Sequence, residues 1–428
     1  MTAQDNAVRV ETDLIGPVEV PADALYGVHT VRALDAYSLH GELLAEYPEF
    51  LSAYAAVKRA CAIANQQFGL LDQPVADAIV SAADELAGGQ WLDQFPIRAL
   101  QGGGGVSTNM NVNEVLANRA EELLGGTRGS HALVHPNDHV NRSQSTNDTY
   151  PTAVAVSTVV LVYRTVVDLR GLADTFTAKA DEYNGVARLG RTCLRDALPL
   201  GVDETHRAHA AVVNRAADRL VTAASALLAV PLGATAVGTG AGAPLGFGDR
   251  AVKILAESMG LPLCPAGDYF DALSNLDPLL DVAQAVASAG LVIAKIAADL
   301  RLLSSGPEAG INEVSLPLIS AGSSIMPGKV NPAIPELVMQ VAMELRGKAH
   351  TVELAVGMGE LELNVMEPVV LTSLHPATVK LGGVARVFSD LCVRDLKWNT
   401  AVLERNLAGS FLERIEESER AGYSATTY

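Results

Sequence analysis

The chain has 428 residues, 49% of them hydrophobic and 19% charged, with a formal net charge of −18. That length holds two or three domains around a large core. Without a basic cluster the acidic balance excludes nucleic acid as a ready partner, because phosphate neutralisation needs grouped lysine and arginine.

The opening MTAQDNAVRVETDL lacks an apolar signal segment, which predicts a cytoplasmic protein. Residues 1–40 read as loop, with turn signals in IGPVEVPADALYG. Helical periodicity runs over 48–87 and resumes after residue 111. From 147 to 303 the pattern is of a few long helices. The first opens at STNDTYP, with Asn147 as its expected cap and Pro151 in the first turn. The second follows RDALPLGVDE and runs to about residue 229; glycine-rich 231–249 then breaks the pattern, and a third spans 278–303. Further helices are expected over 334–357 and 375–395, before a polar tail. The most apolar stretch, YPTAVAVSTVVLVYRTVVDL (150–169), contains Pro151, several threonines and Arg164, so no membrane span is expected. Helices apolar nearly all round predict a bundle centre or a subunit interface. Few strands are expected, and the class is mostly α. Cys61, Cys193, Cys264 and Cys392 have neither metal-ligand nor disulfide spacing, and His206 and His209 lack a third ligand, so no metal is expected.

Three polar islands interrupt the helices: QGGGGVSTNMNVNE (101–114), NRSQSTNDTYP (141–151) and AGSSIMPGKVNP (321–332). Each puts Ser, Thr or Asn near a helix N-terminus, where unpaired N–H groups and the dipole favour an anion. Taken singly, the first two are what an ordinary turn and cap look like. Capping requires neither the Ser323-Ser324 pair nor Lys329 on a glycine-flanked loop, so the third points to function.

Together the islands resemble the signature segments of the fumarase/aspartase superfamily, GSSIMPGKVNP most specifically, over nearly the whole chain. YGVHTVRA (26–33), QSTND (144–148), LRLLSSGPEAGINEVSLP (300–317) and LELNVMEP (361–368) are similar to aspartase wording, whereas VHPND (134–138) is more fumarase-like. The resemblance implies a mostly α, three-domain protomer: an N-terminal domain over 1–138, a central bundle of long helices over 139–395 and a truncated C-terminal domain over 396–428. It implies a homotetramer whose central helices form the bundle core, with each active site shared by three subunits. It also implies cofactor-independent, reversible anti-elimination from a substituted succinate, a small dicarboxylate, to give fumarate, with L-aspartate as the leading substrate and ammonia as its leaving group. No membrane or nucleic-acid partner is implied.

By the same resemblance Ser323 is the base that removes the C–H proton. A serine hydroxyl serves only if backbone N–H groups and a nearby cation stabilise its oxyanion. Lys329, Asn331, Ser145 and Thr146 hold the substrate carboxylates, with Ser324 beside them. Asn147, Thr192, Cys193, Val106 and Met326 form the leaving-group pocket. Three positions depart from the aspartase pattern: Val106 stands for a threonine, Cys193 for His or Gln, and Glu336 matches a fumarase carboxylate without its histidine. Hydroxide needs an acid to protonate it, so the missing His–Glu pair argues against a fumarate hydratase. Val106 removes one hydroxyl, worth roughly 1–3 kcal/mol if its partner is left unpaired. A nitrosuccinate or an N-substituted aspartate therefore stays open as substrate, as does a non-catalytic paralogue. Arg195 either pairs with Glu204 or reaches the substrate.

Overall fold

The computed structural model describes residues 7–319, 322, 324–408, 411–422 and 424. Helices dominate: α1 (Val28–Ala36), α2 (Pro48–Gln67), α3 (Gln73–Ala87), α4 (Val106–Leu123), α5 (Thr146–Glu182), α6 (Val202–Ser225), α7 (Phe247–Met259), α8 (Tyr269–Ser274), α9 (Asp277–Leu303), α10 (Ala333–Val356), α11 (Glu367–Phe388), α12 (Thr400–Leu407) and α13 (Leu412–Ala421). The fold is mostly α with long helices, as the sequence predicts.

Strands among the described residues form four separate two-stranded pairs. Two of them were not expected from the sequence: the antiparallel hairpins β1 (Val8–Asp13) with β2 (Gly16–Pro21), and β3 (Ala187–Thr192) with β4 (Arg195–Gly201). The first is closed by Asp13, whose Oδ1 accepts from the Ile15 and Gly16 N–H groups. The other pairs, β5 (Ala229–Val230) with β6 (Cys264–Pro265) and β7 (Val314–Ser315) with β8 (Lys397–Trp398), are two residues long.

Two compact units divide the chain. One takes the residues up to Val162 together with Thr222–Ala283 and Lys348–Pro376; the other takes Tyr163–Val221, Gln284–Gly347 and Ala377 onward. In the first unit the early turns of α5 are buried on nearly every side, and Tyr150, Val154, Val156 and Val159 are fully buried. The buried hydroxyls of Thr149, Thr152 and Ser157 donate back to the carbonyls of Ser145, Asp148 and Ala153, so these three sit in this core with their donors satisfied, whereas the Tyr150 hydroxyl is buried without a partner among the described residues. By composition α5 and α9 are apolar enough to span a bilayer. In α5, however, 72% of the apolar window is buried within the protein; in α9 the figure is 50%.

Helix ends differ from expectation for local reasons. Val106 opens α4 directly after left-handed Gly105, five residues before the expected start. Asp203 and Glu204 form the first turn of α6, where acidic groups offset the helix dipole. Glu204, one partner considered for Arg195, accepts from the Gly201 N–H (2.7 Å). Helix α11 opens at Glu367 and carries Pro376 in its interior. A proline there has no N–H for the carbonyl four residues back. Lys348 on α10 takes that role, donating from Nζ to the Thr372 carbonyl oxygen (3.2 Å).

The buried histidines belong to the cores. His206 Nε2 accepts from the Trp398 indole N–H (2.9 Å), and His206 and His209 both pack against Phe176. No group of three His, Cys, Asp or Glu able to hold a metal occurs among the described residues. Burial pushes the pKa of His206 down to about 3, that of His209 to about 4 and that of His375 to about 3. Unfolded histidine binds its proton near pH 6.5 and these do not, so stability is fully present above pH 6.5 and drains as pH falls toward 4. His375→Gln is expected to flatten that loss by about 2 kcal/mol between pH 7 and 5. Urea unfolding at the two pH values checks it; an unchanged pH dependence refutes it.

Candidate active site

In the first unit the first island turns tightly into α4. Gly103, Gly104 and Gly105 all have positive φ, and a Cβ on Gly105 would run into the Tyr150 ring. Gln101 ties the turn to the helix: its Oε1 accepts from the Thr108 N–H (3.0 Å) and its Nε2 donates to Thr108 Oγ1 (2.8 Å). Farther along α4, the buried Glu114 carboxylate accepts from the N–H groups of Gly27, His29 and Thr30 and from the Thr30 hydroxyl, pinning the start of α1. The result is a cavity of about 220 Å³ lined by His29, Arg32, Tyr37, Val106, Ser107 and Met110. Val106 is half-exposed there.

The second island opens α5. Ser145, rather than Asn147, is the cap. Its Oγ accepts from the Asn147 N–H (3.2 Å), while Asp148 Oδ1 accepts from the Ser145 N–H (3.0 Å), a reciprocal box that a Ser-x-x-Asp spacing allows. Asp148 is fully buried, and its Oδ2 accepts from the N–H groups of Gly233 (3.1 Å) and Thr235 (2.9 Å). Burial pushes its pKa up to about 6, against the pull of these N–H groups. One carboxylate thus binds the glycine-rich stretch to the start of α5. Asn147 Nδ2 donates one of its two hydrogens to the Ala236 carbonyl (2.7 Å), which fixes the orientation of the amide and of its Oδ1 acceptor.

In the second unit, Thr192 and Cys193 sit where β3 turns into β4, both exposed. Cys193 and Leu194 are the two turn residues, with φ of 53° and 59°, a primed turn in which neither is glycine. Arg191 anchors the hairpin through a two-pronged pair with the buried Glu313 (2.6 and 3.0 Å).

Ser323 lies outside the described residues. Ser324, Met326, Lys329 and Asn331 are exposed on the loop that precedes α10. Gly322 bridges to Pro327, and the Lys329 N–H donates to the Met326 carbonyl (3.2 Å). Glu336 pairs with Arg301 (3.2 Å), so its partner is a permanent cation rather than a histidine.

The first two islands are brought together within one unit by residues the sequence did not single out. Tyr54 and Lys58 of α2 hydrogen-bond Asn109 of the first island, and Lys58 also bonds Asn141 and Gln144 of the second. The only signal was a lysine, beside Arg59, in the mostly small and apolar run AAVKRACAIAN.

Residues 16–347 match a family model described as Lyase. The chain is 42% identical over 400 residues to aspartate ammonia-lyase of Escherichia coli (strain K12), covering 93% of this chain and 84% of that one. It is 41% identical over 417 residues to aspartate ammonia-lyase of Bacillus subtilis (strain 168), covering 97% and 87%. Among solved structures, a fumarate lyase:delta crystallin from Brucella melitensis bound to cobalt is similar with a TM-score of 0.96 at 37% identity, covering 98% of this chain and 91% of that one. The class II fumarase of Schistosoma mansoni gives 0.94 at 32%, with the same coverage.

Proposed function

This chain belongs to the fumarase/aspartase superfamily of lyases and is a carbon–nitrogen lyase, and from that premise we propose that it converts L-aspartate reversibly to fumarate and ammonia. Removing a proton beside a carboxylate spreads the carbanion charge into that carboxylate, so the intermediate needs fixed positive potential more than the substrate does. Lys329 and Asn331 supply it at one carboxylate, and Ser145 and Thr146 at the other, with Ser324 alongside. Ser323 takes the proton. The C–H electron pair passes through the aci-carboxylate into the new C=C bond, and nitrogen leaves as ammonia with the pair of the C–N bond. Asn147, Thr192, Cys193, Val106 and Met326 surround that nitrogen.

The observation that carries this reading is the polarity of Asn147. One of its two N–H donors is committed to Ala236, which fixes the amide and leaves Oδ1 available to the nitrogen as an acceptor. An ammonium group needs acceptors; a departing nitro group would need donors.

A second reading, an N-substituted aspartate, is favoured by the cavity beside Val106, which leaves room for a substituent on nitrogen. One experiment separates the two. The enzyme is incubated with fumarate and ammonium, hydroxylamine, methylamine or nitrite, and fumarate consumption is followed. Ammonium is expected to react fastest, and Val106→Thr to lower KM for aspartate several-fold by restoring a hydroxyl. Preference for the larger amine, with KM unchanged or raised, moves the assignment to the second reading; no reaction with any nucleophile favours a non-catalytic paralogue.

The reading includes a homotetramer with shared active sites, in the cytoplasm, without cofactor. Support for self-association lies in the second unit, where Val167, Leu291, Met343 and Val379, on four different long helices, are each more than half exposed. Further copies of the chain would cover such a surface.

A further inference from the structure

Lys58 stands in the middle of α2 and is fully buried. Its Nζ donates to Asn109 Oδ1 (2.7 Å), Asn141 Oδ1 (3.0 Å) and Gln144 Oε1 (3.0 Å). Three donors meet three neutral amide oxygens, and no carboxylate is among these partners. The cage is itself fixed. Asn109 and Asn113 donate through Nδ2 to Asn141 Oδ1 (3.2 and 3.1 Å), and the Tyr54 hydroxyl bridges Asn109 Oδ1 and Thr149 Oγ1. Asn109 lies in the first turn of α4, and Gln144 directly precedes the Ser145 cap of α5. A single ammonium therefore sets the starts of both helices.

Buried cations are ordinarily matched by carboxylates, because an isolated charge is costly to desolvate. The titratable groups that act on Lys58 are Cys61 on its own helix and Asp148 on α5, and the Tyr54 ring lies 5.5 Å from Nζ. Burial holds the Cys61 thiol neutral. Asp148 spends its carboxylate on the N–H groups of Ser145, Gly233 and Thr235. The elements around the second island, and α4, reach Lys58 through the amides of Asn109, Asn141 and Gln144. A site held by a neutral cage has a positive charge to spare for an anion that arrives from outside.

We propose that Lys58 is a positioning residue for dicarboxylate binding: it holds the α4 and α5 N-termini in one frame, and its charge is the one a carboxylate at Ser145 and Thr146 completes. The inference rests on the reading that Ser145 and Thr146 bind a substrate carboxylate. Burial lowers the pKa of Lys58 from 10.5 to about 7, so the ammonium that fills the three-oxygen cage at lower pH gives way above neutrality to an amine with two N–H donors, leaving the cage one bond and one charge short in the free protein. An arriving dianion favours the ammonium, and binding then takes up a proton.

The test is calorimetric binding of fumarate to the full assembled chain. Wild-type affinity is expected to fall roughly 20-fold from pH 6.5 to 8.5, for a group that titrates near 7 when free and above 8.5 in the complex. At pH 8, titrations in two buffers of different ionisation enthalpy should show close to one proton taken up; Asp148, titrating about 6, cannot supply that signal. Lys58→Met should bind weakly and equally at both pH values, take up no proton, and raise KM far more than it lowers kcat. Wild-type affinity that is flat with pH and free of proton uptake overturns the inference, as does Lys58→Met with the wild-type pH dependence. If that variant does not fold, the wild-type proton count decides alone. Ser145→Ala separates the two levels. If it binds fumarate like wild type, the carboxylate reading fails and this inference with it; if it weakens binding while Lys58→Met does not, only the role of Lys58 fails.

Discussion

Ser323→Ala is expected to abolish turnover, lowering kcat by about 10²–10⁴-fold, the range by which a positioned base accelerates proton transfer. The proton removed is weakly acidic, and of the other polar side chains on the GSSIMPGKVNP loop Lys329 is a cation and Asn331 an amide, so Ser324 is the alternative hydroxyl base there. The alanine variant keeps both, so fumarate binding should change little while catalysis fails. Its assembly should match that of wild type, at about four times the 44.8 kDa of one chain by light scattering. Wild-type rates in a correctly assembled variant would remove Ser323 as the base. Loss of fumarate affinity equal to the loss of rate would mean that the serine binds substrate rather than deprotonating it.

The largest expected stability effect is at Gly105. Its φ is +83°, a conformation costing a residue with a side chain about 1–2 kcal/mol, and its missing Cβ is filled by the Tyr150 ring. That ring is fully buried, against Phe50 at 5.1 Å and Tyr54 at 6.2 Å between centroids, so it has nowhere to go. Overpacking such a site adds about 1–3 kcal/mol, and Gly105→Ala should lose roughly 2–5 kcal/mol in urea unfolding. Gly125 has the same φ with nothing within 4 Å of a Cβ, so Gly125→Ala isolates the backbone cost. Equal losses at the two positions would show that contact with Tyr150 contributes nothing.

Much of the fold was legible because its punctuation is local. Glycine, proline, serine and asparagine mark the ends of α5, α9 and α10, and apolar runs mark their interiors. The three islands were legible for the same reason. What escaped depends on contacts distant in sequence. Lys58 reads beside Arg59 as part of a solvated face, yet Arg59 pairs with the exposed Asp84 while Lys58 turns inward to partners 51, 83 and 86 residues away. The β3–β4 hairpin escaped because its turn is Cys193-Leu194, lacking the Asn-Gly or Gly that usually marks such a turn. In sequence Pro376 reads as a helix boundary, whereas α11 runs through it because the tertiary fold supplies a substitute donor, Lys348.

That substitute donor binds the fates of two distant positions. Once Pro376 is in place, losing the Lys348 amine strands a carbonyl; once Pro376 gives way to a residue with an amide hydrogen, the amine is redundant. Losing the lysine is therefore expected to cost less once the proline has been replaced than before, which couples the two positions energetically.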